Sequence, residues 1–484
     1  VEAWIASSQP GSPDSRGCGS SIAAAWARYR GPVTVDDAAT RTLPTGERVV
    51  ALGWVDADGR STVTASPSTS AYDLLPPMRR RRRVRGRAIG VPVLAVLALA
   101  GAYSGAMLLW PLSAVDVTAK AADAPRLAGA PSAIPWPAEG EAAVGIDGFR
   151  SASSSEDRVQ MASTAKLVTA LVILDEKPLA SGEQGPAYDF TFADRQEYWR
   201  YVSQNQSALN VPDDGSLTEY QMLQGMLMAS ASNYANRLAS DAFGSVDGYA
   251  AAANAWLKDN GLDGITVTDA SGYSRDNLAT PAAMVALAEK ALDNPVIAEI
   301  VATKTAELPG AGLFENTNAL LGVDGIVGLK TGSFAGYNNL IAAKRITVNS
   351  ISTTVFAAVA GQPTSSARRD ETERLLDAAA SEAAVPTTLA AGTVVGEVTT
   401  VWGATSRLLT EKDASLLLWN GATAESETAF DVDADATAGS DAGALTVTGP
   451  AGTIEVPVTI EKALPGPDAW WRLTHPIELT GIGG

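Results

Sequence analysis

From Ala88 to Leu112 the chain runs for twenty-five residues without a charge. At about 1.5 Å per residue, a helix of that length exceeds the roughly 30 Å thickness of a bilayer's hydrocarbon core. Arg79, Arg80, Arg81, Arg82, Arg83, Arg85 and Arg87 stand directly before it. Such a cluster is retained on the cytoplasmic side, which puts everything beyond about residue 113 outside the cell and Trp110 at the outer interface. A cleaved signal peptide is the competing reading, and it would leave a secreted protein. Its apolar region is normally shorter, about 7 to 15 residues. Ala119-Lys120-Ala121 has the spacing of a cleavage site, but Asp116 separates it from the apolar run. An uncleaved, single-pass anchor is the preferred reading.

The apolar stretch divides the chain. Residues 78–112 form the basic cluster and anchor. Residues 1–77 show no sustained periodicity and end in Pro76-Pro77 ahead of Met78. They read as an over-extended reading frame starting at Val1, or as a disordered cytoplasmic segment. Residues 113–131 read as an Ala/Pro-rich linker, and the same composition continues to Glu141, as in an extended spacer that holds the folded part off the membrane. Two folded units are expected beyond it, over 132–385 and 386–484.

Charge and rare residues narrow the chemistry. Residues 1–112 carry 13 arginines against 8 acidic residues, leaving 23 basic against 46 acidic in the rest, near −23. Nucleic acid is therefore not an expected partner, since a phosphate-binding surface needs clustered cations. With one histidine, His475, and one cysteine, Cys18, the chain has too few residues for a Ser-His-Asp arrangement, a zinc cluster or an internal disulfide. No cofactor or metal is expected. If there is chemistry, a lysine must supply the base.

Ser163-Thr164-Ala165-Lys166 is the one place where any of the ten lysines has a serine three residues before it. It precedes the apolar run Leu167 to Leu174, so serine and lysine would share a face near the start of a helix. A serine hydroxyl needs an adjacent proton acceptor, and a lysine amine accepts only where burial or a neighbouring cation disfavours its charged form.

Ala142–Asp147 is a strand candidate. Segments 217–228 and 280–288 are helical, the second with Pro281 in its first turn. Segments 325–330, 339–344 and 353–359 read as an antiparallel meander, and 368–384 as a closing helix. Strands at both ends with helices between make 132–385 an α+β domain. Beyond Val385 the runs are short and β-like, with no helical period, so 386–484 reads as an all-β sandwich or small barrel whose strands Trp402, Trp419, Trp470 and Trp471 pack.

Two further elements accompany Ser163 and Lys166: Ser230, in a loop after the 217–228 helix, and Lys330-Thr331-Gly332 at the end of a strand. In this order they resemble the signature of serine acyltransferases that include penicillin-binding proteins and serine β-lactamases. The surroundings Met161–Ala170, Glu315–Leu321 and Val327–Gly332 resemble the D-alanyl-D-alanine carboxypeptidases, over about residues 132–385. The resemblance implies a penicillin-binding transpeptidase-like fold with an antiparallel sheet and a helical subdomain. It also implies removal of the terminal D-Ala from peptidoglycan stem peptides ending in D-Ala-D-Ala, with β-lactams as inhibitors.

By the same resemblance, Ser163 attacks the carbonyl, Lys166 takes its proton, and Ser230 relays the proton to the leaving amine. Lys330 and Thr331 hold the substrate carboxylate, the N–H groups of Ser163 and Ser333 form the oxyanion hole, and Lys330 keeps Lys166 partly neutral by repulsion. Ser232 stands where the family has asparagine, with Asn233 one residue late; both are candidate substrate-binding residues. Three readings stay open: an active carboxypeptidase, an inactive relative that binds cell wall or a partner, and a β-lactamase, disfavoured by the lack of a Glu-x-x-Leu-Asn motif between Ser230 and Lys330. The chain's last residues lack the amphipathic helix by which some members attach to the membrane, a task the N-terminal stretch would take over.

Overall fold

The computed structural model describes residues 87–112, 115–123, 126–348 and 351–481. The 1–77 segment, Cys18, Met78 and the arginines from 79 to 85 lie outside the described residues. The apolar stretch is a helix, Arg87–Leu109, about 34 Å long. Val91, Leu94, Leu97 and Leu99 on it are exposed, as lipid-facing residues would be. By length and composition, Gly90–Leu109 can cross a membrane.

The segment after this helix corrects the expected linker. Val117–Ala121 is a strand paired antiparallel with Val394–Thr400, Val117 opposite Thr400, and Leu127–Ala128 pairs with Thr423–Phe430. Backbone hydrogen bonding to partners nearly 300 residues away decides the conformation here; alanine and proline content does not.

The Ser163 domain is built on a five-stranded antiparallel sheet in the order Ile326–Phe334, Tyr337–Val348, Ile351–Gln362, Glu141–Ile146, Ala152–Ser153. Its central strands are apolar on both faces because both are covered. Leu340, Ala342, Val355 and Ala357 pack with Leu375, Leu376 and Ala379 of the helix Ser365–Ala383. Ile341, Ala343, Phe356 and Ala358 pack with Leu167, Leu171 and Leu287 of the helices Lys166–Glu176 and Pro281–Asp293.

The helices of this second face include Glu219–Met228, Ser232–Phe243 and Val246–Asp259. Local chemistry sets their ends. The Thr218 hydroxyl accepts from the N–H of Gln221, whose side chain accepts in turn from the Thr218 N–H. Thr280 caps the Pro281 helix, with proline in the first turn where no N–H is needed. An α+β domain with an antiparallel sheet and a helical subdomain is thus present.

The C-terminal unit holds a seven-stranded antiparallel sheet in the order Val117–Ala121, Val394–Thr400, Thr405–Thr410, Gly452–Ile460, Asp441–Gly449, Thr423–Phe430, Leu127–Ala128. Val398, Leu408, Leu445, Val456 and Val458 fill its core. Trp419 is buried against the Ser163 domain, its indole N–H donating to Glu382 at 2.7 Å. The all-β expectation for 386–484 needs correction at its end: Ala469–Thr474 and Pro476–Thr480 are short helices, and Trp470 is exposed instead of packing a strand. Helices of five and six residues are too short to show a period in the sequence.

Candidate active site

Ser163 lies in a 3-10 turn, Ala162–Ala165, that leads into the Lys166–Glu176 helix. Ala162 precedes it with φ of 49°, left-handed backbone that a non-glycine residue adopts only when its surroundings impose it. Those surroundings are visible. The Asn339 side chain, fully buried, donates to the carbonyls of Gln160 and Met161 at 2.7 and 2.9 Å and accepts from the Gly361 N–H. It fastens the nucleophile turn to the sheet. Gly332 runs so close to this turn that a Cβ there would lie 3.1 Å from Met161 O, Ser163 N and Thr164 N. That approach explains the glycine and sets the edge of the strand beside the Ser163 N–H.

Lys166 is fully buried, and its Nζ donates to Ser163 Oγ at 2.9 Å, Ser232 Oγ at 3.3 Å and the Ser271 carbonyl at 2.5 Å. Burial lowers its pKa to about 7, with Asp269 opposing. Desolvation is the leading cause, and the repulsion expected between Lys166 and Lys330 is seen at Lys330, whose charged form Lys166 disfavours. Lys330 is itself almost wholly buried and donates to the Thr331 carbonyl at 3.0 Å. Its pKa falls well below the ordinary lysine value through burial first, then through Lys166 and Arg368.

The loop that supplies the Ser271 carbonyl was not singled out from the sequence. Asp269 organises it, accepting from the N–H groups of Ser271, Gly272, Tyr273 and Ser274 and from the side chains of Ser271 and Asn277. Burial works to raise the Asp269 pKa, but these bonds outweigh it and hold the carboxyl below its usual range. Gly272, with φ of +77°, packs on the nucleophile turn, where a Cβ would meet the Ala162 carbonyl at 2.0 Å. An Asp-x-Ser-Gly run is the only sequence signal for this loop, and it reads as a turn.

The other candidates are placed as follows. Ser232 opens the Ser232–Phe243 helix and reaches Lys166. Ser230, in left-handed backbone at φ 63°, has no hydrogen-bond partner for its hydroxyl among the described residues. Asn233 does not join the site: it exchanges hydrogen bonds with the backbone of Leu209, donating at 2.8 Å and accepting at 3.2 Å. The Thr331 and Thr317 hydroxyls share a bond of 2.7 Å, and Thr317 also donates to the Met228 carbonyl. This ties the 315–321 segment to the Lys-Thr-Gly strand. Arg368, also not foreseen, donates through Nη1 to Gly332 O at 2.9 Å and Ser333 Oγ at 2.8 Å.

Ser163, Ser232 and Ser333 line one cavity of about 340 Å³, walled by Gln204–Ser207 on one side and by Tyr273 and Phe334 on another, their rings edge-to-face at 5.3 Å. Among the described residues there is no group of three or more His, Cys, Asp or Glu able to hold a metal. The site offers a hydroxyl nucleophile, a lysine base near neutrality, backbone N–H groups beside the nucleophile, and the Lys330 amine and Arg368 guanidinium, both bonded to backbone carbonyls of the Ile326–Phe334 strand.

Comparison with known proteins finds one matching family profile and a set of similar solved structures. The sequence profile of the D-alanyl-D-alanine carboxypeptidases, peptidase family S11, matches residues 151–359. A comparison with curated protein sequences finds no match. Solved structures similar to this chain include a D-alanyl-D-alanine carboxypeptidase from Francisella tularensis, with 16% identity over 70% of this chain and 96% of that one and a TM-score of 0.46. Penicillin binding protein 5 from Haemophilus influenzae has 16% identity over 69% and 99%, with a TM-score of 0.46. A D-alanyl-D-alanine carboxypeptidase from Mycobacterium tuberculosis has 23% identity over 52% and 95%, with a TM-score of 0.44. The matched residues, 151–359, hold Ser163, Lys166 and Lys330-Thr331-Gly332 and make up less than half of the chain.

Proposed function

We propose that this chain is a membrane-tethered serine carboxypeptidase that removes the terminal D-Ala from peptidoglycan stem peptides through an acyl-enzyme on Ser163. The carrying observation is the buried Lys166, with a pKa near 7, bonded to the Ser163 hydroxyl beside the Lys-Thr-Gly strand. Neutral Lys166 takes the Ser163 proton as Oγ attacks the carbonyl carbon between the two D-alanines. The oxyanion faces the N–H groups of Ser163 and Ser333. As the tetrahedral intermediate collapses, the C–N bond breaks and the proton on Lys166 passes to the leaving D-Ala amine. Ser232, at 3.3 Å from Lys166, is the hydroxyl within reach of that transfer, a role the family resemblance assigns to Ser230. Water, deprotonated by Lys166, then attacks the ester and releases the shortened peptide.

The substrate carboxylate fits between Lys330, Thr331 and Arg368. A buried lysine whose charged form is disfavoured gains a counter-ion when an anion arrives, so substrate binding and Lys330 protonation support each other. β-Lactams would acylate Ser163 by the same attack. The Gly90–Leu109 helix holds the catalytic domain on the extracytoplasmic side, where peptidoglycan lies.

The direct test incubates the full chain in detergent with a D-Ala-D-Ala pentapeptide and measures free D-Ala, with Ser163→Ala as control. Release that disappears in the variant supports the proposal. Equal release from both proteins, or none from either while a penicillin is rapidly hydrolysed, rejects it.

A further inference from the structure

The C-terminal helices do more than end the β unit. The hydroxyl of Tyr103, inside the Arg87–Leu109 helix, donates to the Leu473 carbonyl at 2.8 Å. Arg472 Nη1 donates to the carbonyls of Met107, Leu108 and Trp110, the last at 2.9 Å, satisfying groups that a helix C-terminus leaves open. The helix Ala469–Thr474 thus lies along the final turns of the apolar helix. Tyr103 is six residues before Leu109. At about 1.5 Å per residue this contact reaches about 9 Å back from the helix end.

A clamp anchors the pair from the other side. Trp471 stacks on His475 with centroids 4.9 Å apart and meets the Trp402 ring edge-on at 5.6 Å, while Met107 and Leu479 are buried in the same cluster. Trp470 and Ile477 face away from all this, 74% and 62% exposed.

We propose that Ala469–Thr474 and Pro476–Thr480 form, with the outer end of the Arg87–Leu109 helix, one unit seated in the outer leaflet, with Trp470 and Ile477 immersed at the headgroup–acyl boundary. The partner is a lipid surface. The depth set by Tyr103 matches the roughly 5 to 10 Å at which interfacial helices lie, and tryptophan is the residue that favours this level. Seating is apolar, because the exported part is near −23 and anionic headgroups would repel it. With Val117 already in the sheet eight residues after Leu109, the β unit rests on the bilayer instead of swinging on a tether. This inference rests on the membrane-spanning reading of the apolar helix.

The test uses the full chain with Cys18→Ser, reconstituted in phosphatidylcholine vesicles and labelled with an environment-sensitive fluorophore at Ile477→Cys or, as control, at Glu156→Cys on the catalytic domain. The first probe should emit blue-shifted relative to the second, and brominated acyl chains should quench the first and leave the second unchanged. A Trp470→Asp variant of the labelled protein should lose that quenching while D-Ala release from a soluble peptide stays as before. A probe at 477 as wet as the control, in protein that resists carbonate extraction, overturns the seating and leaves the anchor intact. Extraction by carbonate overturns both.

Discussion

If the buried Lys166 is the base that activates Ser163, its pKa should appear directly in the acylation rate. A base acts only when neutral. With a pKa of about 7, half the enzyme is competent at pH 7. The fraction falls to about a tenth at pH 6 and about a hundredth at pH 5, and saturates above about pH 8. The second-order rate of labelling by a fluorescent penicillin, followed by stopped flow from pH 5 to 9, should therefore drop close to tenfold per unit below pH 7. Asp269 supplies an internal control with a defined sign. Its carboxylate raises the Lys166 pKa, so Asp269→Asn should move the acid limb to lower pH. The plateau should fall as well, because an amide cannot accept all the donors that now converge on the carboxylate and hold the Ser271 carbonyl in place. An acid limb centred near pH 10, as for an ordinary lysine, would refute the buried-base reasoning. A limb that Asp269→Asn shifts upward would refute the electrostatic part.

Three further outcomes follow from the same geometry. Ser232→Ala should slow acylation about a hundredfold or more, as loss of a proton-transfer group does, while Ser230→Ala costs less; single-turnover labelling of the two variants decides which hydroxyl is the relay. Arg368→Ala should lower kcat/KM about ten- to a hundredfold for peptides ending in a free carboxylate, the value of a charge-assisted bond, with no such loss for C-terminally amidated analogues. Asn339→Ala leaves the Gln160 and Met161 carbonyls and the Gly361 N–H without their partner, and should cost about 2–4 kcal/mol in urea unfolding.

What the sequence could reveal depended on how far apart the cooperating residues lie. Ser163 and Lys166 are one turn apart, and Lys330-Thr331-Gly332 is contiguous, so side chains that meet in space are already neighbours along the chain. Asn339, Arg368 and the Asp269 loop reach the site only because the sheet and the helix Ser365–Ala383 fold over it; each looks alone like an ordinary polar residue. The same limit explains Asn233, which sits beside Ser232 in sequence but, on the next helical position, points to Leu209. It also explains the misread linker, since the fate of Val117–Ala121 was set by Val394–Thr400. Three strands of the catalytic domain's sheet are legible for the opposite reason: consecutive hairpins pair Ile326–Phe334, Tyr337–Val348 and Ile351–Gln362, and Leu340 to Ala343 is apolar throughout because both faces are covered.

The central claim is that Ser163 carries the acyl group. Intact and peptide mass spectrometry of the full chain after brief exposure to penicillin tests it most directly. The expected result is one adduct, on the peptide containing Ser163, formed by the wild type and absent from both Ser163→Ala and Lys166→Arg, the latter holding a side chain that stays protonated. No adduct on the wild type, or an adduct that persists in Ser163→Ala, would contradict the claim.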